Sequence, residues 1–107
     1  MCDFANGHQH GRHEQWVTPA DSQRLSSKLV TLFPGDGVPE HTTGPGREEV
    51  IIVLYGSIEA VVNGTKLERV SGETLFIAEN TPHSIRNQGE DPAQYCYCVT
   101  KKGQHAL

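Results

Sequence analysis

The segment SIEAVVNGTKLERV, residues 57–70, constrains the fold more than any other stretch, because two strand-like runs flank Asn63-Gly64. Both central residues of a type I′ turn take positive φ, which Asn-Gly tolerates, and the twist of that turn matches a pair of antiparallel strands. Further strand signals lie on either side. RLSSKLVTLF (24–33) mixes β-branched and apolar residues and stops at Pro34-Gly35, while VIIVLYG (50–56) is a nearly continuous apolar run too short for a typical helix. GETLFIA (72–78), HSIRN (83–87) and AQYCYCVT (93–100) each follow turn-forming residues. No segment longer than a turn carries a convincing 3.6-residue period. Short strands separated by turns, without helices, make the chain all-β, either a sandwich or a small barrel.

A chain of 107 residues has room for one core. The expected division is a flexible N-terminal arm over residues 1–22, with a short edge strand near Trp16-Val17, followed by a single barrel domain over 23–107. The formal net charge of −4 and the dispersed lysines and arginines leave no basic patch for phosphates, so no nucleic-acid partner is expected. No apolar run approaches the ~18–20 residues of a membrane helix, and the polar N-terminus has no signal-peptide core, so a cytoplasmic protein without a membrane partner is expected. Cys2, Cys96 and Cys98 are a poor disulfide framework: their number is odd, and two of them share one strand face. That pair is expected to be buried as small hydrophobes, opposite Tyr95 and Tyr97.

EHTTGPGREE (40–49) contains the polar residues that are hardest to explain as packing. On a strand, His41 and position 43 point the same way. Glu49 leads an inward row with Ile51, Val53 and Tyr55, and a carboxylate there is costly unless it is paired, hydrogen-bonded or metal-bound. Arg47 and Arg86 are its candidate ion-pair partners, and Glu48 is its rival as ligand. His83 stands in phase with Ile85 and Asn87. Two histidines and one carboxylate converging on a cavity suit a divalent ion (Fe, Mn, Ni or Zn) with open positions for substrate or water. No Ser–His–Asp arrangement and no glycine-rich phosphate loop is present.

Over about residues 28 to 100 the chain resembles the cupin superfamily of small double-stranded β-helix, or jelly-roll, barrels. GDGVPEHTTGPGREEVIIVLYG follows that family's first motif, with Gly35, His41, Glu49 and Gly56 in place, and GETLFIAENTPHSIRN follows the second, with Gly72, His83 and Asn87 in place. Three departures stand out: Thr43 replaces a histidine, the loop from 43 to Glu49 has five intervening residues, one more than the motif's usual range, and Ala78 and Asn80 replace a proline and a glycine. The resemblance implies metal ligation by His41, Glu49 and His83, with position 43 vacant or holding a metal-bound water. Thr43, Tyr55 and Asn87 are the expected substrate-side residues, although Tyr55 also reads as core or pocket wall and Asn87 as a turn residue.

The resemblance further implies a metal-dependent enzyme of oxygenase, isomerase or decarboxylase type acting on a small organic metabolite. The alternative is a non-catalytic small-molecule binder or sensor with a degenerate metal site. A homodimer is expected, with RLSSKLVTLF or the arm as the shared edge. The arm's HQHGRH, with His8, His10 and His13, is either a solvated tail, a metal site of its own, or a source of the missing nitrogen.

Overall fold

The computed structural model describes residues 11–101, and it contains nine strands and no helix among them. These are β1 (Arg12–Trp16), β2 (Leu25–Leu32), β3 (Gly37–Thr42), β4 (Glu49–Tyr55), β5 (Ser57–Val62), β6 (Thr65–Val70), β7 (Thr74–Ile77), β8 (Pro82–Arg86) and β9 (Ala93–Thr100). They form a five-stranded sheet in the order β1-β2-β9-β4-β7 and a four-stranded sheet in the order β3-β8-β5-β6, with every pairing antiparallel. No helix among the described residues is long and apolar enough to cross a membrane.

Strict alternation builds the core. Along β4, Glu49, Ile51 and Val53 are buried while Val50, Ile52 and Leu54 are exposed, the period of two expected of a sheet with one buried face. Val30, Leu32, Tyr95 and Ala93 continue that inner row across β2 and β9, and Ile58, Ala60 and Ile85 oppose it from the other sheet. Fully burying each large aliphatic side chain is worth about 1.5–3 kcal/mol. The inner rows therefore hold the two sheets together as a barrel.

The Asn63-Gly64 turn is as expected: φ is 51° and 83°, and Val62 pairs with Thr65 across a two-residue loop. Gly56, between β4 and β5, has φ 76°, and a Cβ there would lie 2.8 Å from both Ala93 Cα and Pro92 O. Gly56→Ala combines left-handed backbone with a backbone clash, so a loss of more than about 2 kcal/mol is expected, read as a lower urea midpoint at unchanged slope.

Two expectations about the edges change. The arm's strand runs from Arg12 to Trp16 and pairs with β2 along its whole length, rather than sitting at Trp16-Val17. Consequently β2 has β1 on one side and β9 on the other and offers no edge for strand addition; β1 takes that place. His13 lies on β1 with its ring edge-on to Phe33, centroids 5.3 Å apart. His8 and His10 lie outside the described residues.

Candidate metal centre

Three strands deliver the candidate ligands. His41 is on β3, Glu49 opens β4 and His83 is on β8, directly across from His41 in the ladder. A register shift between Val38 and His41 matters here. The extra residue reverses the alternation of β3, so Val38 and His41 both line the cavity, which regular pairing would forbid. One potential ligand atom from each of His41, Glu49 and His83 lies within 4.8 Å of the others. Ions of this class bind nitrogen and oxygen at about 2.0–2.2 Å. An ion held by all three would require these atoms to close on it, and His41 is the exposed member of the group.

Hydrogen bonding fixes which nitrogen each ring presents. His83 Nδ1 lies 2.9 Å from the Thr81 carbonyl and His41 Nδ1 lies 3.1 Å from the Pro39 carbonyl. A carbonyl only accepts, so in the neutral ring Nδ1 carries the proton and Nε2 keeps its lone pair. That is the arrangement by which outer contacts orient a metal-binding imidazole. His83 is 1% exposed, and its Nε2 is a buried polar atom without a hydrogen-bond partner. Glu49 Oε1 is 3.4 Å from it, close enough for a charge interaction but not aligned as a hydrogen bond. An orphaned buried nitrogen beside a buried carboxylate, with a second ring 4.1 Å away between centroids, fits a divalent ion.

Burial alone pulls the His83 pKa down, but the Glu49 carboxylate, the Thr81 carbonyl and the charge of Glu40 outweigh it, leaving the value above the ordinary one. In metal-free protein the protonated ring thus adds stability that is fully present below about pH 6.5 and is lost as pH rises through the raised folded value. Metal requires the unprotonated Nε2, so its affinity must climb over the same interval. Thermal melts from pH 6 to 8 are expected to show a falling metal-free midpoint and a growing metal-induced increment; a pH-independent increment would contradict this.

The remaining expected site residues divide. Glu48 is exposed, and its backbone N–H donates to Thr100 Oγ1 at 2.9 Å, so Glu49 alone points inward. Neither Arg47 nor Arg86 pairs with Glu49 among the described ion pairs. Thr43 is buried and lines the cavity, but its hydroxyl donates to the Ala78 carbonyl at 2.6 Å and accepts from Thr81 N at 3.0 Å. Its proton is committed to a loop clamp rather than to a metal-bound water. Asn80, where the resemblance expects glycine, takes φ 55° just beyond that clamp.

Tyr55 does not line the cavity. A register shift between Val53 and Tyr55 turns the strand end, so Tyr55 is 46% exposed and leaves the inward row expected for it. Asn87 is buried but spent: its amide donates to Leu32 O and Asp91 O, and its Oδ1 accepts from Gly89 N. It ties loops together away from the cavity lining. Tyr95 and Tyr97 face inward instead, and Cys96 and Cys98 are half-buried on the outer face, away from the ligand group.

The cavity is about 210 Å³, and its wall includes Val30, Tyr95, Tyr97, Glu14 and Arg47. Sequence reasoning overlooked Glu14, which reaches the site because β1 pairs it with Val30. Lys28 donates to it at 2.8 Å and Arg12 lies 2.9 Å away, and the Lys28 hydrogen bond holds its carboxyl below the usual range.

The Cupin domain family model matches residues 28–100. A D-lyxose/D-mannose isomerase of Thermosediminibacter oceani is 30% identical over 73 residues, covering 64% of this chain and 40% of that protein. An uncharacterized protein of Methanocaldococcus jannaschii is 29% identical over 76 residues, covering 71% of this chain and 58% of its own length. The chain thus spans about half the length of these curated relatives. Among solved structures, a protein of Thermotoga maritima described as a predicted oxalate decarboxylase superposes with a TM-score of 0.78 at 20% identity, covering 83% of this chain and 79% of that one.

Proposed function

The chain belongs to the cupin domain family, and from that premise we propose that it is a metal-dependent enzyme in which His41, Glu49 and His83 hold one divalent ion against a small oxygen-bearing metabolite. The observation that carries this reading is the buried, unpartnered Nε2 of His83 beside buried Glu49. Bound there, the ion would act as a Lewis acid on a substrate oxygen or, as Fe(II), as an oxygen-binding redox centre. The first supports an isomerase or decarboxylase, the second an oxygenase. The likeness to a sugar isomerase favours the first, on a partial match. The protein's own residues would orient the substrate and exclude water: Val30, Val38 and Ile85 present an apolar wall, and the clamp on Thr43 fixes one rim of the cavity.

A second reading, a non-catalytic sensor, is favoured by the remaining acid–base groups. Glu14 is matched by Lys28 and Arg12, and burial raises the pKa of both Tyr95 and Tyr97, so neither phenol is poised near neutrality. A thermal-shift screen of hydroxy acids, oxo acids and sugars with and without chelator, followed by NMR for turnover, separates the two. Metal-dependent stabilisation with product formation supports the enzyme; equal stabilisation under chelator supports the sensor.

We also propose a homodimer through the outer face of the five-stranded sheet. Val50, Ile52, Leu54 and Phe76 are exposed there. Strand register extends this face through Cys96, Cys98 and Leu29, none of them charged. An uncharged face can meet its own copy without like-charge repulsion, as a two-fold contact requires. Light scattering is expected to give twice the chain mass for the wild type and the monomer mass for Ile52→Lys; a monomeric wild type would end the proposal.

A further inference from the structure

We infer that Arg47 anchors an oxyanion, which makes the substrate or ligand a small organic anion, a carboxylate or a phosphate; this rests on the metal reading above for its second point of attachment. Arg47 is half-buried on the loop between β3 and β4, and among the described residues it is the one lysine or arginine lining the cavity that holds His41 and Glu49. Its stem lies along Gly44: a Cβ at that position would sit 3.5 Å from Arg47 Cδ and 3.7 Å from Nε. Both are ordinary van der Waals separations, so the stem packs directly against the turn. The turn is closed by the Arg47 N–H to the Gly44 carbonyl at 3.2 Å.

Charge identifies the ligand. Arg12 and Lys28, the cations beside the lining residue Glu14, are both engaged by it. Arg47 has no carboxylate within ion-pair distance among the described residues, although Glu48 and Glu49 follow it directly in sequence. A half-buried arginine without a carboxylate partner among the described residues is completed by an oxyanion, which its guanidinium can bind through two parallel N–H···O bonds. With a divalent ion on the three ligands the cavity is net positive even after Glu49 is counted, because Glu14 is already compensated. Its volume of about 210 Å³ lies below the range of about 300–1,000 Å³ typical of drug-sized pockets, which limits the ligand to a few carbons.

Calorimetric titration tests this with three probes: pyruvate for a carboxylate, 2-phosphoglycolate for a phosphate, and hydroxyacetone as a neutral molecule with similar oxygen donors. Each is titrated into metal-loaded and metal-free protein, for the wild type, Arg47→Ala and Arg47→Lys. The wild type is expected to prefer at least one anion over hydroxyacetone. Arg47→Ala should weaken that anion by about 10- to 100-fold, the range for a charge-assisted contact, with hydroxyacetone and metal content unchanged. Arg47→Lys should recover part of the loss, since a lysine keeps the charge but not the fork. Equal anion binding by wild type and Arg47→Ala, or no preference for either anion, overturns the assignment. Failure to take up metal overturns the metal reading instead, and the anion preference of metal-free protein still decides the role of Arg47.

Discussion

His83→Ala is expected to lower metal affinity by more than about 100-fold, beyond what loss of an outer-shell partner alone costs. The substitution removes the one ligand that is wholly buried and already oriented, its Nδ1 held by Thr81 and its Nε2 left bare. It also leaves the Glu49 carboxylate, 8% exposed, beside an empty space rather than a ring. Some loss of stability is therefore expected together with the loss of metal, since an unpaired buried charge is penalised. His83→Asn, which keeps a polar side chain of smaller volume, separates the two effects. If both variants melt cooperatively without metal and neither gains stability on adding it, His83 is a ligand. If His83→Asn binds metal as the wild type does, it is not.

Thr43→Val should destabilise the protein by about 1–3 kcal/mol while leaving one metal per chain. The hydroxyl is buried and joins Ala78 O and Thr81 N, groups some 35 residues away that belong to the turn before β8. Valine fills the same space but leaves both backbone groups without their partner. Because that turn also carries the carbonyl that orients His83, a modest loss of metal affinity accompanies the loss of stability. A Thr43→Val protein as stable as the wild type would show that the clamp contributes nothing. One that loses metal altogether at unchanged stability would restore the idea of Thr43 holding a metal-bound water.

Much of the scaffold could be read from residue order alone, because the signals are local. Asn63-Gly64 specifies its turn by φ, and the alternation of Glu49, Ile51 and Val53 with exposed neighbours specifies the face of β4. Glu49 and His83 are equally legible as inward polar residues, each in phase with an apolar row on its own strand. What stayed hidden depends on pairing. The register shift after Val53 sends Tyr55 outward, and the shift after Val38 lets His41 share a cavity with it; a one-residue irregularity reverses a face without leaving a mark in composition. Thr43 looked like a gap in a ligand set because its partners, Ala78 and Thr81, are distant in sequence. Asn87 likewise reads as a site residue until Leu32 and Asp91 are seen to use its amide. From residue order Arg47 reads as a mate for Glu49 and Glu14 as part of a flexible arm, whereas β1 places Glu14 against Val30.

The central claim is a single divalent ion held by two histidines and one carboxylate. Anomalous diffraction from crystals of the untagged protein loaded with manganese or zinc tests it most directly. The account predicts one strong peak per chain about 2.0–2.3 Å from the Nε2 atoms of His41 and His83 and from the Glu49 carboxylate, with Thr43 still bonded to Ala78. No peak at that position in fully loaded protein, or a peak that leaves His83 uncoordinated, would contradict it.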